Sequence, residues 1–517
     1  MTATPKAPAP ELFDPATQRA RRLFRRCAAV HAAVLAGLAV YLLILPGATL
    51  MRELTQPDLY GPAIPSLAWR LHRTLTPRLE PWARERIAAG TAAHLALNDV
   101  PSTEWPLFGS VFYLMATEAL QQEWERNPSS SPTAPAVYAR DAIEACTTLV
   151  TDPVHHTWVR QHWGDDYLHR QNVFFRGLLI AGLTSYQRLT GSTNHLALLR
   201  DQAQSLSGEL NRSRFGILDD YPDECYPIDV LASIAFIRRS DDLTGLDHSA
   251  FVARARRAFE PPMTDEQGMV PYVANPVSGE ILDSARGTGN SWILMFAHDL
   301  WPDLSARWYE QYERHFWQRH ALTAGWREWP LYSPKADSVW DVDAGPIIAG
   351  YSPAANAFGV GAARFCGRLD QARILTPQVL AACWPLPDGT LLGARILSSA
   401  THAPYLGESA LLYFLTRTPA AGVPVRTGGA TPRLLWIAYA FFFGGGILVV
   451  YGALGLWGGA RAAAVGPVGA AIRLSLWLLL ATAAAVQLWP GHFGLAALAF
   501  LAATFCFSAT RRRHGKA

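Results

Sequence analysis

Between residues 219 and 229 the chain reads Asp-Asp-Tyr-Pro-Asp-Glu-Cys-Tyr-Pro-Ile-Asp. Five carboxylates, two tyrosines and a cysteine crowd into eleven residues, just ahead of an apolar helical stretch at 230–237. One or two acids suit a helix N-terminus, where the dipole favours negative charge. Five exceed that need. Crowded carboxylates raise one another's proton affinity, and a carboxyl that stays protonated near neutral pH is a general acid. Asp219, Asp220 and Asp229 are therefore candidate catalytic groups, and Asp223, Glu224, Cys225 and Tyr226 candidate substrate contacts.

Three further stretches carry chemistry. Residues 97–106 hold Asp99 and Glu104 with Trp105 and two prolines. Asp99 joins the catalytic candidates and Glu104 and Trp105 the binding ones, although an Asp in this position also serves as a helix cap. Residues 340–346 place Asp341 and Asp343 two apart before a Gly-Pro turn. They lack the ligand spacing of a calcium loop, and turn chemistry is the other reading. Residues 164–172 contain His169, a candidate base or merely a solvated loop histidine, and Arg176 follows on the next helical stretch. No CxxC or HxxxH pattern and no glycine-rich nucleotide loop occurs, so neither metal nor cofactor is expected.

The elements that would carry these groups are helical. Apolar residues recur at three- and four-residue spacing over 111–124, 137–150, 173–189, 194–210, 228–239, 249–259, 291–300, 305–319, 354–369, 376–382 and 409–416. Alternating strands are scarce, with one small hairpin expected from 268–274 and 280–282. About a dozen helices in sequential hairpins predict a mainly α fold, an α/α toroid of the (α/α)6 type. An irregular helical bundle is the alternative. In a toroid the cleft forms at the ends of the inner helices, where connecting loops supply function.

This domain sits between apolar segments. Residues 28–50 carry no formal charge, and 434–457, 474–489 and 493–508 repeat the pattern. A span needs about 20 apolar residues, with roughly 17 tolerated. The expected layout is a basic N-terminus at 1–27, a transmembrane helix at 28–50, a domain at 51–433, three transmembrane helices at 434–510 and a basic tail at 511–517. Four buried core helices of a soluble protein would be the competing account. Arg19, Arg21, Arg22, Arg25 and Arg26 precede the first span, Arg461 and Arg473 flank the loop after the second, and Arg511, Arg512, Arg513 and Lys516 follow the fourth. The positive-inside rule puts all three clusters in the cytoplasm of a bacterial-type plasma membrane, and the domain outside it. The net charge of +3 resides in these flanks, which argues against nucleic acid as a partner. Cys146, Cys225, Cys366 and Cys383 fall in a compartment that permits disulfides. The oligomeric state is left open.

Residues 172–177, Asn-Val-Phe-Phe-Arg-Gly, with 186–191, Tyr-Gln-Arg-Leu-Thr-Gly, resemble a barrel helix and Thr-Gly turn of the linalool dehydratase/isomerase family. Gly216-Ile217 with Pro222-Asp223 is similar to that family's catalytic loop. Ser291-Trp292-Ile293-Leu294 with His298, Pro302, Ser305, Arg307 and Tyr309 resembles its later helix pair, and Asp341 to Gly345 with 354–364 its Asp/Gly-rich turn and following helix. The resemblance implies an α/α barrel and acid–base dehydration and isomerisation of a tertiary allylic alcohol. That family uses two cysteines, a histidine and an aspartate. Asp99 matches the aspartate, whereas the histidine position falls on Leu178 and the cysteine positions near Asp219 or Asp220 and near Asp229.

Three functions follow. One is a membrane-anchored hydro-lyase or isomerase acting on a prenyl-type or other lipid-borne alcohol, with carboxylates in place of the cysteines. The second is an envelope glycan-active enzyme, a glycoside hydrolase or polysaccharide lyase, using a carboxylate pair. The third is a non-catalytic protein that binds a glycan or a partner.

Overall fold

The computed structural model describes residues 15–96, 99–399, 401–462, 467–488 and 493–507. Two compact units emerge, one made of Met1–Ala48 with Ala438–Ala517 and the other of Thr49–Ile437.

The smaller unit is built from apolar helices. Three helices are long and apolar enough to cross a membrane: Gln18–Leu54, Leu434–Arg461 and Val468–Val486. The expected fourth span is a described helix of only 13 residues, Phe493–Phe505. The basic tail at 511–517 lies outside the described residues. Phe24, Ala28, Ala460, Ala470 and Phe507 form the unit's buried cluster. Three of these five are alanines, and small residues let apolar helices approach closely where water supplies no driving force.

The larger unit holds twelve principal helices: α1 (Ser66–Ala89), α2 (Val100–Arg126), α3 (Arg140–Thr151), α4 (Val173–Thr190), α5 (Leu196–Arg212), α6 (Pro227–Arg239), α7 (Ser249–Ala255), α8 (Gly287–Ile293), α9 (Pro302–Phe316), α10 (Pro353–Phe365), α11 (Leu369–Ala382) and α12 (Leu406–Thr416). The even-numbered helices pack in a closed cycle, α2 on α4, α4 on α6, α6 on α8, α8 on α10, α10 on α12, and α12 back on α2. Each odd-numbered helix packs on the outside of an inner neighbour. This is the expected (α/α)6 toroid.

Local chemistry explains the alternation. Inner helix α4 is buried almost all round, from Val173 to Leu189, as a helix enclosed by others must be. Outer helix α9 buries a single stripe, Leu304, Ser305, Trp308, Tyr309, Tyr312 and Phe316. Proline stands in the first turn of α2, α6 and α10, where its missing N–H costs nothing. Ser352 caps α10 by accepting from the Ala355 amide. With an outer helix returning after each inner one, the inner helices run the same way and their N-terminal ends gather at one end of the ring.

Several expected elements differ. Helix α1 was not anticipated; its Pro77 and Pro81 weaken a helical reading of sequence, and tertiary packing against α3 and α12 overrides them. The helix expected over 305–319 ends at Phe316, and Trp317–Arg319 is a strand paired with Ala324–Trp326. The helix expected over 354–369 stops at Phe365, because Gly367 adopts a left-handed φ of 70°. The anticipated hairpin forms from Val273–Ala274 and Ile281–Asp283. A further short hairpin pairs Trp340–Asp341 with Gly345–Pro346.

Candidate active site

Four acids from four separate segments meet at the N-terminal ends of the inner helices. Glu104 comes from the start of α2, Asp220 from the loop before α6, Asp229 from the first turn of α6, and Asp343 from the hairpin ahead of α10. Asp220 is 2% exposed and accepts from the Phe174 amide at 2.8 Å and the Tyr226 amide at 2.9 Å. Those bonds tie the acid loop to the first turn of α4. Asp229 accepts from the Trp292 indole of α8 at 3.0 Å. Glu104 is buried and accepts from the Tyr221 hydroxyl. Asp343 accepts from the Tyr272 hydroxyl at 2.6 Å.

Burial, chiefly, and then mutual repulsion raise the proton affinity of these groups. Glu104 is pushed up to about 8 by burial and then by the charges of Asp229 and Asp343, against the Tyr221 hydrogen bond. Burial raises Asp220 and Asp229, and the two repel each other, so they titrate as a pair well above the ordinary carboxylate range. Burial also raises Asp343, yet this residue is open to solvent at the rim, so water screens its carboxyl more than the other three. Asp219 rises to about 6 through burial and then the Asp223 charge. The helix N-termini oppose all these shifts by favouring the anion. The outcome near neutral pH is a site that holds protons and carboxylates together, as acid–base chemistry requires.

Beneath the acids lies an aromatic floor. Trp292, whose indole holds Asp229, packs edge-to-face on Phe108 at 5.5 Å and on Phe358 at 5.9 Å. Phe108 packs on Phe174 at 5.2 Å. Phe108, Phe174 and Phe358, from three inner helices, keep accessible surface. At the rim, Val339, Trp340 and Val342 are exposed beside Asp341 and Asp343.

The remaining expected residues divide. Asp99 is the N-cap of α2, accepting from the Ser102 amide at 3.3 Å; its carboxylate serves the helix end, and Glu104 is the acid of that stretch that joins the cluster. Trp105 is half-buried next to Glu104. Asp223 is exposed with a left-handed φ of 69°, and Glu224 is exposed and accepts from the Tyr226 hydroxyl at 3.1 Å. Cys225 is fully buried, its thiol pushed far up by burial and by Asp220, Asp219 and Asp229, which removes it as a nucleophile. All six cysteines are free. Asp341 pairs with Arg286 at 3.0 Å and accepts from the Asp343 and Ala344 amides of its own turn. His169 stands apart, exposed between Asp166 and Asp201. Arg176 is also apart, fully buried among Gln202, Ser205 and Glu209, and it fastens α4 to α5. Leu178 is buried on α4.

Sequence reading missed Glu328, Tyr272, Arg286 and Trp292 as site residues. Glu328 is wholly buried, bonds the Thr288 hydroxyl at 2.7 Å at the start of α8, and is raised to about 7 by burial. Its Oε1 and the Oδ1 of Asp219 are buried without a hydrogen-bond partner. The only signal for Glu328 was an acid flanked by Trp326 and Trp329. Arg286 lies 4.1 Å over the Tyr272 ring. Among the described residues no group of three or more His, Cys, Asp or Glu side chains is arranged to hold a metal ion.

No family model and no curated protein matches the chain, so the likeness to the linalool dehydratase/isomerase family rests on the quoted residues alone. Among solved structures the chain is similar to an unsaturated glucuronyl hydrolase specific for heparin, at 13% identity and a TM-score of 0.39, over 65% of this chain and 96% of that one.

Proposed function

We propose that this protein is a membrane-anchored acid–base enzyme that breaks a carbon–oxygen bond in a prenyl-type or other lipid-borne alcohol. The observation that carries the reading is the joining of the proton-holding carboxyls of Glu104, Asp220 and Asp229 to the floor of Phe108, Phe174, Phe358 and Trp292. In the proposed mechanism neutral Glu104 gives its proton to the substrate hydroxyl, and Tyr221 steadies the carboxylate left behind. The carbon–oxygen bond then breaks to water and a carbon centre of cationic character, stabilised by the aromatic faces. The Asp220–Asp229 pair, with one carboxylate ionised, takes a proton from the adjacent carbon and yields the alkene. Run backwards through water addition at another carbon, the same groups isomerise the alcohol. Apolar Val339, Trp340 and Val342 at the rim suit a hydrocarbon body. The basic flanks support placing both termini in the cytoplasm and the toroid outside it.

A second reading draws on the polar side of the rim. Tyr226, Glu224 and Arg286 present hydroxyl, carboxylate and guanidinium groups, which suit a hydroxylated glycan, and the same carboxyls would cleave a glycosidic bond.

The test is turnover by detergent-purified protein on linalool, geraniol, myrcene and a longer prenyl alcohol, and in parallel on a panel of envelope oligosaccharides. Alkene or isomeric alcohol lost in Asp229→Asn is the expected result. Turnover confined to oligosaccharides selects the glycan reading, and inactivity of the folded protein on every substrate overturns both.

A further inference from the structure

Residues 331–348 break the pattern of the larger unit's surface. Leu331, Tyr332, Val339, Trp340, Val342 and Ile348 are all exposed, Leu331 to 76% and Val339 to 75%. Among the described residues, these are six of the fourteen large apolar side chains exposed between residues 55 and 433. Such side chains scattered singly are ordinary, whereas six in one short segment mark an interaction surface. The segment is not a loose loop. Trp329, Ala344 and Ile347 are buried together within it. Trp340–Asp341 pairs with Gly345–Pro346, and the Ile347 amide donates to the Val339 carbonyl at 2.8 Å. Arg327 donates to the Trp329 carbonyl at 2.9 Å and to the Ala336 carbonyl at 3.0 Å. A hydrogen-bonded backbone thus holds the apolar side chains outward.

What covers this patch follows from the chain beside it. The Gln318 side-chain amide donates to the Ala349 carbonyl at 3.2 Å, and the Tyr351 hydroxyl to the Thr323 carbonyl at 3.2 Å. These bonds strap the segment to the hairpin of Trp317–Arg319 and Ala324–Trp326. At the tip of that hairpin the Leu322 carbonyl accepts from the Leu434 amide at 2.8 Å. Leu434 is the first residue of the spanning-length helix Leu434–Arg461. Leu322 and Leu434 both belong to the larger unit, so the hairpin tip is fixed where the chain enters an apolar helix. Near that point Leu322 and Trp436 are exposed, as are Arg319 and Arg433. Apolar and aromatic side chains beside guanidiniums match hydrocarbon beside phosphate headgroups, and Trp and Tyr concentrate at that boundary. A soluble partner would account for the apolar surface but not for its attachment to the start of a spanning helix.

We propose that residues 331–348 are a membrane-docking surface, whose exposed apolar side chains lie at the headgroup–acyl boundary of a phospholipid bilayer. The placement is interfacial. Lys335 and Asp337, between the two apolar groups, stay at headgroup level within reach of water. Asp343 of the acid cluster belongs to the same segment, so docking turns the mouth of the site toward the bilayer. Entry of substrate from the lipid rests on the proposed lipid-borne alcohol; the docking itself does not.

The test is photocrosslinking of the full-length protein in vesicles of phosphatidylethanolamine and phosphatidylglycerol. The photoreactive residue p-benzoylphenylalanine replaces Val339, Ile348 or, as the control, Gln204, and adducts are read by mass spectrometry. Gln204 is exposed on α5, which packs on α4, across the ring from α10, whereas the 317–326 hairpin packs on α10. The expected result is lipid adducts at Val339 and Ile348 about tenfold more abundant than at Gln204, because an interfacial apolar face sits roughly 5–10 Å into the headgroup–acyl boundary. All three side chains are exposed, so the probe displaces no core packing. The readout needs no turnover, so failure of the proposed chemistry leaves it unaffected. Equal lipid labelling at all three positions, none at Val339 and Ile348, or adducts there that join two copies of the chain instead of lipid overturns the proposal.

Discussion

At the scale of residues, the site is a proton reservoir built by burial. Glu104 is held at about 8, so a reaction that needs it as an acid loses rate as pH rises through that value. The expected kcat/KM profile falls on its alkaline side near pH 8, and Glu104→Gln lowers kcat by about a hundredfold or more. Tyr221 lowers the proton affinity of Glu104 through its hydrogen bond; Tyr221→Phe should therefore move the alkaline limb to higher pH. Stability follows the same sign. The folded protein holds the Glu104 proton more tightly than the unfolded chain does, so this contribution is complete below the ordinary glutamate value and lost as pH rises through about 8. The unfolding temperature is expected to fall from pH 5 to 9, and less steeply in Glu104→Gln, as calorimetry over that range would show. Not all of this was readable beforehand. The crowding in 219–229 pointed to Asp220 and Asp229, but Asp99 outranked Glu104, because a linear sequence does not reveal which carboxylate of a pair caps a helix and which turns inward.

At the scale of elements, the inner helices bring the acids together by starting at a common level. Helix α8 shows how close the fit is. A Cβ on Gly287 would stand 2.0 Å from the Arg327 carbonyl oxygen, and the Gly287 amide donates to the Glu328 carbonyl at 2.8 Å. This contact sets Glu328 and Trp292 relative to Asp229. Gly287→Ala forces backbone apart, and it is expected to cost roughly 1–3 kcal/mol in denaturant unfolding and to lower turnover as well. Helical periodicity exposed most of the barrel helices, though not their ends. It failed for α1, whose prolines argue against a helix, and for Trp317–Arg319, where apolar spacing continued after the backbone had left the helix.

At the scale of the whole molecule, apolar helices accompany a toroidal unit whose site combines acids with hydrocarbon-like surface. Three described helices are of spanning length and composition. The proposed topology predicts that a membrane-impermeant maleimide added to intact spheroplasts labels Asp337→Cys. It also predicts that Arg461→Cys is labelled only after permeabilisation. Both positions are exposed. The reverse pattern would put the toroid in the cytoplasm.

What the sequence determined by itself was whatever short-range order and composition control: the apolar segments, the helical class, the dozen or so helices in sequential hairpins that predict a toroid, and the concentration of acid before α6. The tertiary structure decided which acids meet. Glu104, Asp229 and Asp343 lie far apart in sequence, and their proton affinities arise from burial and from one another's charge, neither of which exists until the ring closes. The same closure separated His169 and Arg176 from the site and brought in Glu328 and Trp292.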